Sequence, residues 1–360
     1  KSTMALQSAY LKNPDGSPFK VLYLDPESGS VDDYLPTLAE NGVDMRNILI
    51  AYTQSITEVL EFIERAKNGE DFYIPDDDGN ETDEVYLDSD GKPFRPDMIV
   101  VDGASVLNLT TKTSIVEFSK KRAKVKAAAA GLTGDEKFVK IEGAGMELKD
   151  YQTVNFKGQE LILDLMGSGK HYIVTARETD EKITKEINGK EVTVATGRKI
   201  PDGFKNMDYN AKTCIRMYRD EDDYTTVRAF VVKDRTGIHK AGDDIEDPSL
   251  LDYQDLIDKT SGNREFVIKN TIHEAIKTEE RKYAEEIGVE QSENENEPEE
   301  NTNEAEVLRD KITGMINSLS PVLKQKAKKA VADAGLPTAM RTVSDVKVLH
   351  QILKVVQDIG

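Results

Sequence analysis

The sequence predicts an α/β protein, a mostly parallel sheet flanked by helices, with a small all-α module at its C-terminal end. Three observations predict it. Short apolar runs alternate with segments of helical spacing from residue 20 onward, the order of a doubly wound sheet. One run, Met98 to Val101, is uninterrupted and ends on Asp102. That suits a central strand covered on both faces, with its acid in the crevice at the carboxyl edge where such sheets bind ligands. Beyond residue 305, three amphipathic helical stretches follow, broken near Ser320-Pro321 and Gly335-Leu-Pro337.

Taken in order, Leu6, Ala9 and Tyr10 stand at helical spacing until Asn13-Pro14-Asp15-Gly16 breaks the pattern. Lys20-Val-Leu-Tyr-Leu-Asp25-Pro26-Glu27 reads as a strand ending in carboxylates, and a helix is expected over Asp33–Asn41. A turn at Gly42 leads into the apolar strand Ile48-Leu49-Ile50, and Val59, Leu60, Phe62 and Ile63 mark a helix over Thr57–Lys67. Residues 69–96 interrupt the alternation with Asp78-Gly79 and Asp90-Gly91 turns, read as an inserted surface β-hairpin. The aspartates at 76–78 lack calcium-loop spacing and read as a solvated turn.

Ser114–Ala130 reads as a basic helix, Gly131–Gly145 as irregular, and Asp150–Met166 as a helix with Leu161, Ile162 and Leu165 on one face. His171–Ala176 is the next buried strand. Before it, Gly167-Ser168-Gly169-Lys170 looks like the tail of a phosphate-binding loop. It lacks a glycine six residues before Lys170 and precedes a strand where a helix is needed, so it is a decoy. Glu178–Asn210 is polar, with turn signals at Asn188-Gly189 and Asp202-Gly203, and reads as a mobile hairpin or loop. Two strands, Thr213–Tyr218 and Thr225–Val232, follow. The expected organisation is a core over 1–260, a helical and acidic linker over 261–304 disordered at 290–304, and a helical module over 305–360.

The 360 residues are 38% apolar and 32% charged, enough for a sizeable core. No run of 18 apolar residues spans a membrane, and the single cysteine, Cys214, excludes a disulfide framework and a cysteine-built metal site. A small buried hydrophobe is the expected role of Cys214, in a reducing compartment. The net charge of −19 excludes a uniformly DNA-coating protein but not local contact. Residues 290–304 hold seven glutamates, residues 120–126 hold five basic residues, and residues 305–360 carry nine Lys/Arg against five Asp/Glu.

Gly-Lys-Ser/Thr at the mouth of a helix is how a P-loop ends. Lys1-Ser2-Thr3 stands before a helical pattern, so the expectation is a chain cut inside its Walker A motif. Lys1 would then reach the β- and γ-phosphates and Ser2 ligate Mg²⁺, with Thr3 counted among the nucleotide-binding residues. Alone, Lys-Ser is an ordinary dipeptide, as hhhhD alone is an ordinary strand end.

With its pieces in this order, the chain resembles a RecA-family P-loop ATPase, most of all the RecA-like ATPases of bacteriophages that act in recombination and single-strand annealing. Four stretches carry the resemblance, over residues 1–245. Tyr23-Leu24-Asp25-Pro26-Glu27 is similar to the family's strand ending in a water-polarising glutamate. Gly42-Val-Asp-Met-Arg-Asn-Ile-Leu resembles its Gly-Val-Asp turn, and Asp97-Met-Ile-Val-Val-Asp102 its Walker B strand. Val231-Val232-Lys233-Asp234-Arg235 resembles an element whose cations touch ATP across a subunit boundary. The glycine half of Walker A is absent, the 69–96 insertion is extra, and Arg177 stands where a glutamine usually links the γ-phosphate to the DNA loop.

The resemblance implies ATP and Mg²⁺ as cofactors, Glu27, Lys233, Arg235 and Arg177 as catalytic groups, and Asp102 holding a metal-bound water. It implies a homo-oligomer, ring or filament, acting on single-stranded DNA in the cytoplasm of a phage-infected cell. A single-strand-binding or other phage replication protein is a further expected partner. The family's DNA loops correspond to residues 130–150 and 178–210, and Lys120, Lys121, Arg122, Lys124 and Lys126 form a candidate backbone-tracking stripe. A solvated helix face is the bland reading of that stripe. A helicase or packaging motor with the same core is the alternative enzyme, and a non-catalytic scaffold the alternative from another class.

Overall fold

In a computed structural model of the chain, all residues are described except 77–80, 188, 261–271, 287–307, 310, 314, 317–320, 338–342, 344 and 358–360. The chain runs from α1 (Ser2–Leu6) into β1 (Val21–Leu24), α2 (Leu35–Glu40), β2 (Ile48–Ala51) and α3 (Ile56–Asn68). The strands β3 (Tyr73–Pro75) and β4 (Glu81–Val85) precede β5 (Met98–Asp102), α4 (Ala104–Ala129), α5 (Gly134–Glu142), α6 (Leu148–Gly167) and β6 (His171–Thr175). Then come β7 (Arg177–Ile187), β8 (Lys190–Asp202), α7 (Met207–Asn210), β9 (Thr213–Arg219), β10 (Val227–Asp234), β11 (Asp244–Glu246) and α8 (Gln254–Thr260). The described helices end with α9 (Ile272–Glu286), α10 (Pro321–Asp333) and α11 (Val346–Gln357).

The α/β expectation holds: β2, β1, β5 and β6 form a four-stranded sheet in that order, every pairing parallel. Its two inner strands, β1 and β5, are buried at every residue, as their unbroken apolar runs require. Each such side chain contributes roughly 1.5–3 kcal/mol on burial. Helices flank the sheet because their apolar residues fall on one stripe; α3 buries Ile56, Val59, Ile63 and Ala66. Ser55 accepts from the Glu58 N–H at its start and left-handed Gly69 ends it, the usual punctuation at each end.

Three expectations change. The basic helix begins at Ala104, directly after Asp102-Gly103, ten residues earlier than its charge pattern marks. The stretch 131–145 is not irregular: it holds α5, whose glycines lie at its ends, with Asp135 and Glu136 in its first turn and Lys140 in its last. That charge order complements the helix dipole. The β6 strand is half-buried at all five residues, since it pairs with β5 on one side and is an edge of its sheet on the other. Its sequence reads as fully covered; position in the sheet is not written in its pattern.

The polar segment after β6 is a regular two-stranded ribbon, β7 with β8, paired from Arg177 with Asp202 out to Ile187 with Lys190. Just past it, Phe204 packs on α6 at Gly158, where a Cβ would lie 2.2 Å from the Phe204 ring and its Cβ. β9, β10 and β11 form a separate antiparallel sheet with β10 in the middle. The end of this unit returns to its beginning: Gln254 exchanges hydrogen bonds with the Lys12 backbone, and Gln7 accepts from the Leu250 N–H.

The chain divides into two compact units, residues 1–70 with 87–274, and residues 71–86 with 275–360. The second holds the antiparallel pair β3–β4 and a helical core of Leu308, Ile312, Val331, Val343, Leu349, Ile352, Leu353 and Val356. The expected disorder over 290–304 lies outside the described residues, as do the Asp78-Gly79 turn and most of the expected linker. Among the described residues, no helix is long and apolar enough to cross a membrane.

Candidate functional site

At the carboxyl edge of the parallel sheet, β1, β5 and β6 end side by side, with Asp102 opposite Thr175 in register. Asp102 is buried, and hydroxyls surround it. Tyr23 donates to Oδ2 at 2.7 Å, Ser30 to Oδ2 at 3.1 Å, and Thr175 to Oδ1 at 2.5 Å. The Ser2 hydroxyl lies near this carboxylate and acts on it electrostatically. Burial alone would raise the Asp102 pKa; the hydroxyls of Ser2, Thr175, Tyr23 and Ser30 outweigh it and hold the group below the ordinary carboxylate value. Burial first, and the Asp102 charge second, push the Tyr23 phenol far above its usual value, so it remains a donor.

The β1 acid Asp25 is fully buried and organises the turn that follows. Its carboxylate accepts the backbone N–H groups of Glu27 (3.0 Å), Gly29 (2.9 Å) and Ser30 (2.9 Å). The turn needs left-handed backbone at Ser28 (φ 56°) and Gly29 (φ 104°); for serine that conformation is uncommon. By folding this turn, Asp25 brings the Ser30 hydroxyl to Asp102 and presents Glu27 beside Gly103. Gly103 has φ 133°, and a Cβ there would lie 2.9 Å from Glu27 Cγ. Only glycine meets both demands.

Glu27 Oε1 accepts from Arg177 Nη2 at 3.0 Å and Nε at 3.2 Å. The Lys1 ammonium donates to the Ala176 carbonyl at 2.7 Å, one residue after β6. Lys1, Ser2, Glu27, Asp102 and Arg177, drawn from four separate places in the sequence, therefore meet at one end of one sheet. Thr3 is exposed and makes no described contact with that group.

The remaining sequence candidates lie elsewhere or are differently engaged. The Lys233 ammonium donates to the carbonyls of Asp208 (2.6 Å) and Tyr209 (3.1 Å), within α7. Arg235 falls just past the end of β10 and is exposed. Of the α4 stripe, Lys120 pairs with Glu117 (3.3 Å) and Glu142 (3.0 Å), Arg122 with Asp150 (2.5 Å), and Lys126 with Glu147 (3.5 Å). Lys121 and Lys124 remain exposed. Three of the five cations thus face carboxylates of the chain itself, because α5 and α6 fold back along α4. Cys214, expected as a small buried hydrophobe, is only half-buried, and burial raises the pKa of its thiol.

Along the outer edge of β6 runs a groove of about 1540 Å³, whose far wall includes β9 residues Thr213 to Met217. Its lining holds nine Lys/Arg, among them Lys1, Arg177, Lys212 and Arg235, against three Asp/Glu, on a chain of net charge −19. Asp102, Ser2 and Glu27 do not line it; Thr175, Lys1 and Arg177, which do, are their immediate neighbours.

Sequence reasoning missed Tyr23, Ser30, Thr175 and Gly103 as parts of this site. One signal was present: Gly103 directly follows the strand acid. The hydroxyl shell had none, since its members become neighbours only through strand order. No protein-family model matches the chain, and no curated protein matches it.

Proposed function

We propose that the protein binds and hydrolyses ATP with Mg²⁺ at the carboxyl edge of its parallel sheet, as a RecA-like ATPase acting on DNA. The observation that carries this is the gathering of the chain start at the strand-end acid: Lys1 donates to the Ala176 carbonyl, next to the Thr175 that donates to Asp102, and the Ser2 hydroxyl lies near enough to help hold the Asp102 pKa down. A cation, a hydroxyl and a strand-end carboxylate are the groups that P-loop enzymes gather around nucleotide phosphates and their metal.

The donor set fits Mg²⁺. Magnesium takes oxygen ligands, from one or two carboxylates plus substrate phosphates, rather than an all-protein cage. Asp102 and the Ser2 hydroxyl supply oxygens of that kind. When bound, the ion neutralises charge that develops on the phosphoryl oxygens. Lys1 would hold the β- and γ-phosphates, and Glu27, on the turn built by Asp25, would orient the attacking water.

The groove's basic lining favours an anionic ligand, although Arg177, Arg198, Lys199 and Arg216 of its nine cations already pair with carboxylates of the chain. Its size exceeds the roughly 300–1,000 Å³ of small-molecule pockets, so a nucleotide would fill only part of it. The α4 stripe lends no such support, with three of its five cations already paired. Self-association, and phosphate contact by Arg235 from a neighbouring subunit, belong to the same proposal. Lys233 would first have to leave α7.

The test is phosphate release by the full chain with MgATP. Glu27→Gln should retain nucleotide and hydrolyse it at least ~100-fold more slowly, the scale of a positioned base. Asp102→Asn should lose the Mg²⁺ dependence of binding. Unchanged turnover in Glu27→Gln removes that residue from the role, and Mg²⁺-independent binding by the wild type overturns the site.

A further inference from the structure

The β7–β8 ribbon is almost wholly exposed, with strands of 11 and 13 residues. At about 3.4 Å per residue its paired length is on the order of 35 Å. Its root is held at Ser105 on α4, while Arg216 of β9 donates to the Glu178 carboxylate at 2.8 Å. The Arg177 N–H donates to the Ser105 hydroxyl at 2.8 Å, and that hydroxyl donates to the carbonyl of Asp202, the residue paired with Arg177. From the same root the Arg177 guanidinium reaches Glu27 with two hydrogen bonds to one oxygen. The first residue of the ribbon and the partner of the candidate catalytic carboxylate are one residue.

We infer that Arg177 is a latch through which the position of the ribbon sets whether Glu27 is held or free. The inference rests on the reading of Glu27 as the water-orienting group. While the latch is closed, Oε1 spends its lone pairs on the guanidinium and the carboxylate is drawn toward β7. The Glu27 backbone does not follow, because the Asp25 carboxylate holds its N–H and those of Gly29 and Ser30 beyond it. Movement of the root therefore rotates one side chain and leaves the turn and the Ser30–Asp102 contact in place.

The latch is soft. The Arg177 and Glu27 side chains are 63% and 33% exposed, and exposed ion pairs shift a two-state ratio only a few-fold. A partner that grips the ribbon thus needs little differential affinity to open it.

The experiment has two arms, both on the full chain. At saturating MgATP, Arg177→Ala should hydrolyse roughly two- to five-fold faster than wild type, the range an exposed pair allows. Added salt should speed the wild type toward the variant and leave the variant unmoved, because salt screens the pair. Slower hydrolysis by Arg177→Ala overturns the latch and makes Arg177 a catalytic group. In the second arm, hydrogen exchange of amides 178–181 should quicken in both Arg177→Ala and Glu27→Ala. No change in Glu27→Ala overturns the latch as well. This arm needs no turnover: wild-type hydrolysis by Glu27→Gln would sink the reading of the site, while the tie between ribbon and carboxylate is still decided by exchange.

Discussion

Asp102 and Glu27 are carboxylates at the same edge of the same sheet, and the molecule treats them in opposite ways. Asp102 is 3% exposed and held by neutral hydroxyls; Glu27 is a third exposed and held by a cation. Neutral donors keep a buried carboxylate ionised without cancelling its charge, so the full negative charge stays available to a cation. A guanidinium cancels the charge it touches, but at an exposed site the contact is weak enough to break and re-form. One acid is built to hold, the other to be released.

The contrast can be broken most directly through stability. Asp102→Ala leaves the buried Tyr23 hydroxyl unpaired and removes the acceptor of two others, so urea unfolding should show a loss of about 3 kcal/mol. Glu27→Ala should stay within roughly 0.5 kcal/mol of wild type, as surface changes do. Equal losses would mean the two acids are not differently built.

Gly103→Ala should cost about 1–3 kcal/mol, since it forces a non-glycine residue to φ 133° and drives a Cβ against Glu27. Its loss of hydrolysis should vanish in a Glu27→Gln background, because both changes act on one group. Full additivity would mean that Gly103 serves the fold alone.

The pH dependence sharpens the comparison. The Asp102 pKa is depressed in the folded state, so its contribution is present above the unfolded value of about 3.9 and is lost as pH falls through the lower folded value. Measured without divalent cation, the unfolding midpoint of the wild type should drop in that window, and that of Asp102→Asn should drop less. The smallest effect belongs to α4: Lys120→Ala should leave the urea-unfolding midpoint close to that of wild type, since solvent screens its pairs with Glu117 and Glu142.

What was legible in the sequence divides along the same line. The β5 run and its terminal acid were readable because an unbroken apolar stretch has few other uses. The meeting of Lys1, Ser2 and Asp102 was reached only through motif order, and the hydroxyl shell not at all, since Tyr23, Ser30 and Thr175 are ordinary residues until strand order places them together. The α5 helix was missed because Gly131, Gly134, Gly143 and Gly145 were read as breakers, whereas they bound a helix whose charges run in the right order. The stripe on α4 was visible as charge, but its partners Glu142, Glu147 and Asp150 come from helices folded back upon it.

Phe204 gives the ribbon a mechanical character. It follows β8 by two residues and sits on Gly158 so closely that α6 admits no side chain there. The returning strand is therefore pinned at its inner end, whereas the outgoing strand is held there by two exposed ion pairs, Arg177 with Glu27 and Glu178 with Arg216, and shares the Ser105 hydroxyl with its partner. A beam fixed on one side and loosely held on the other does not slide; it swings. A small force applied far out, near Ile187 and Lys190, would arrive at Arg177 as torque, multiplied by the length of the arm.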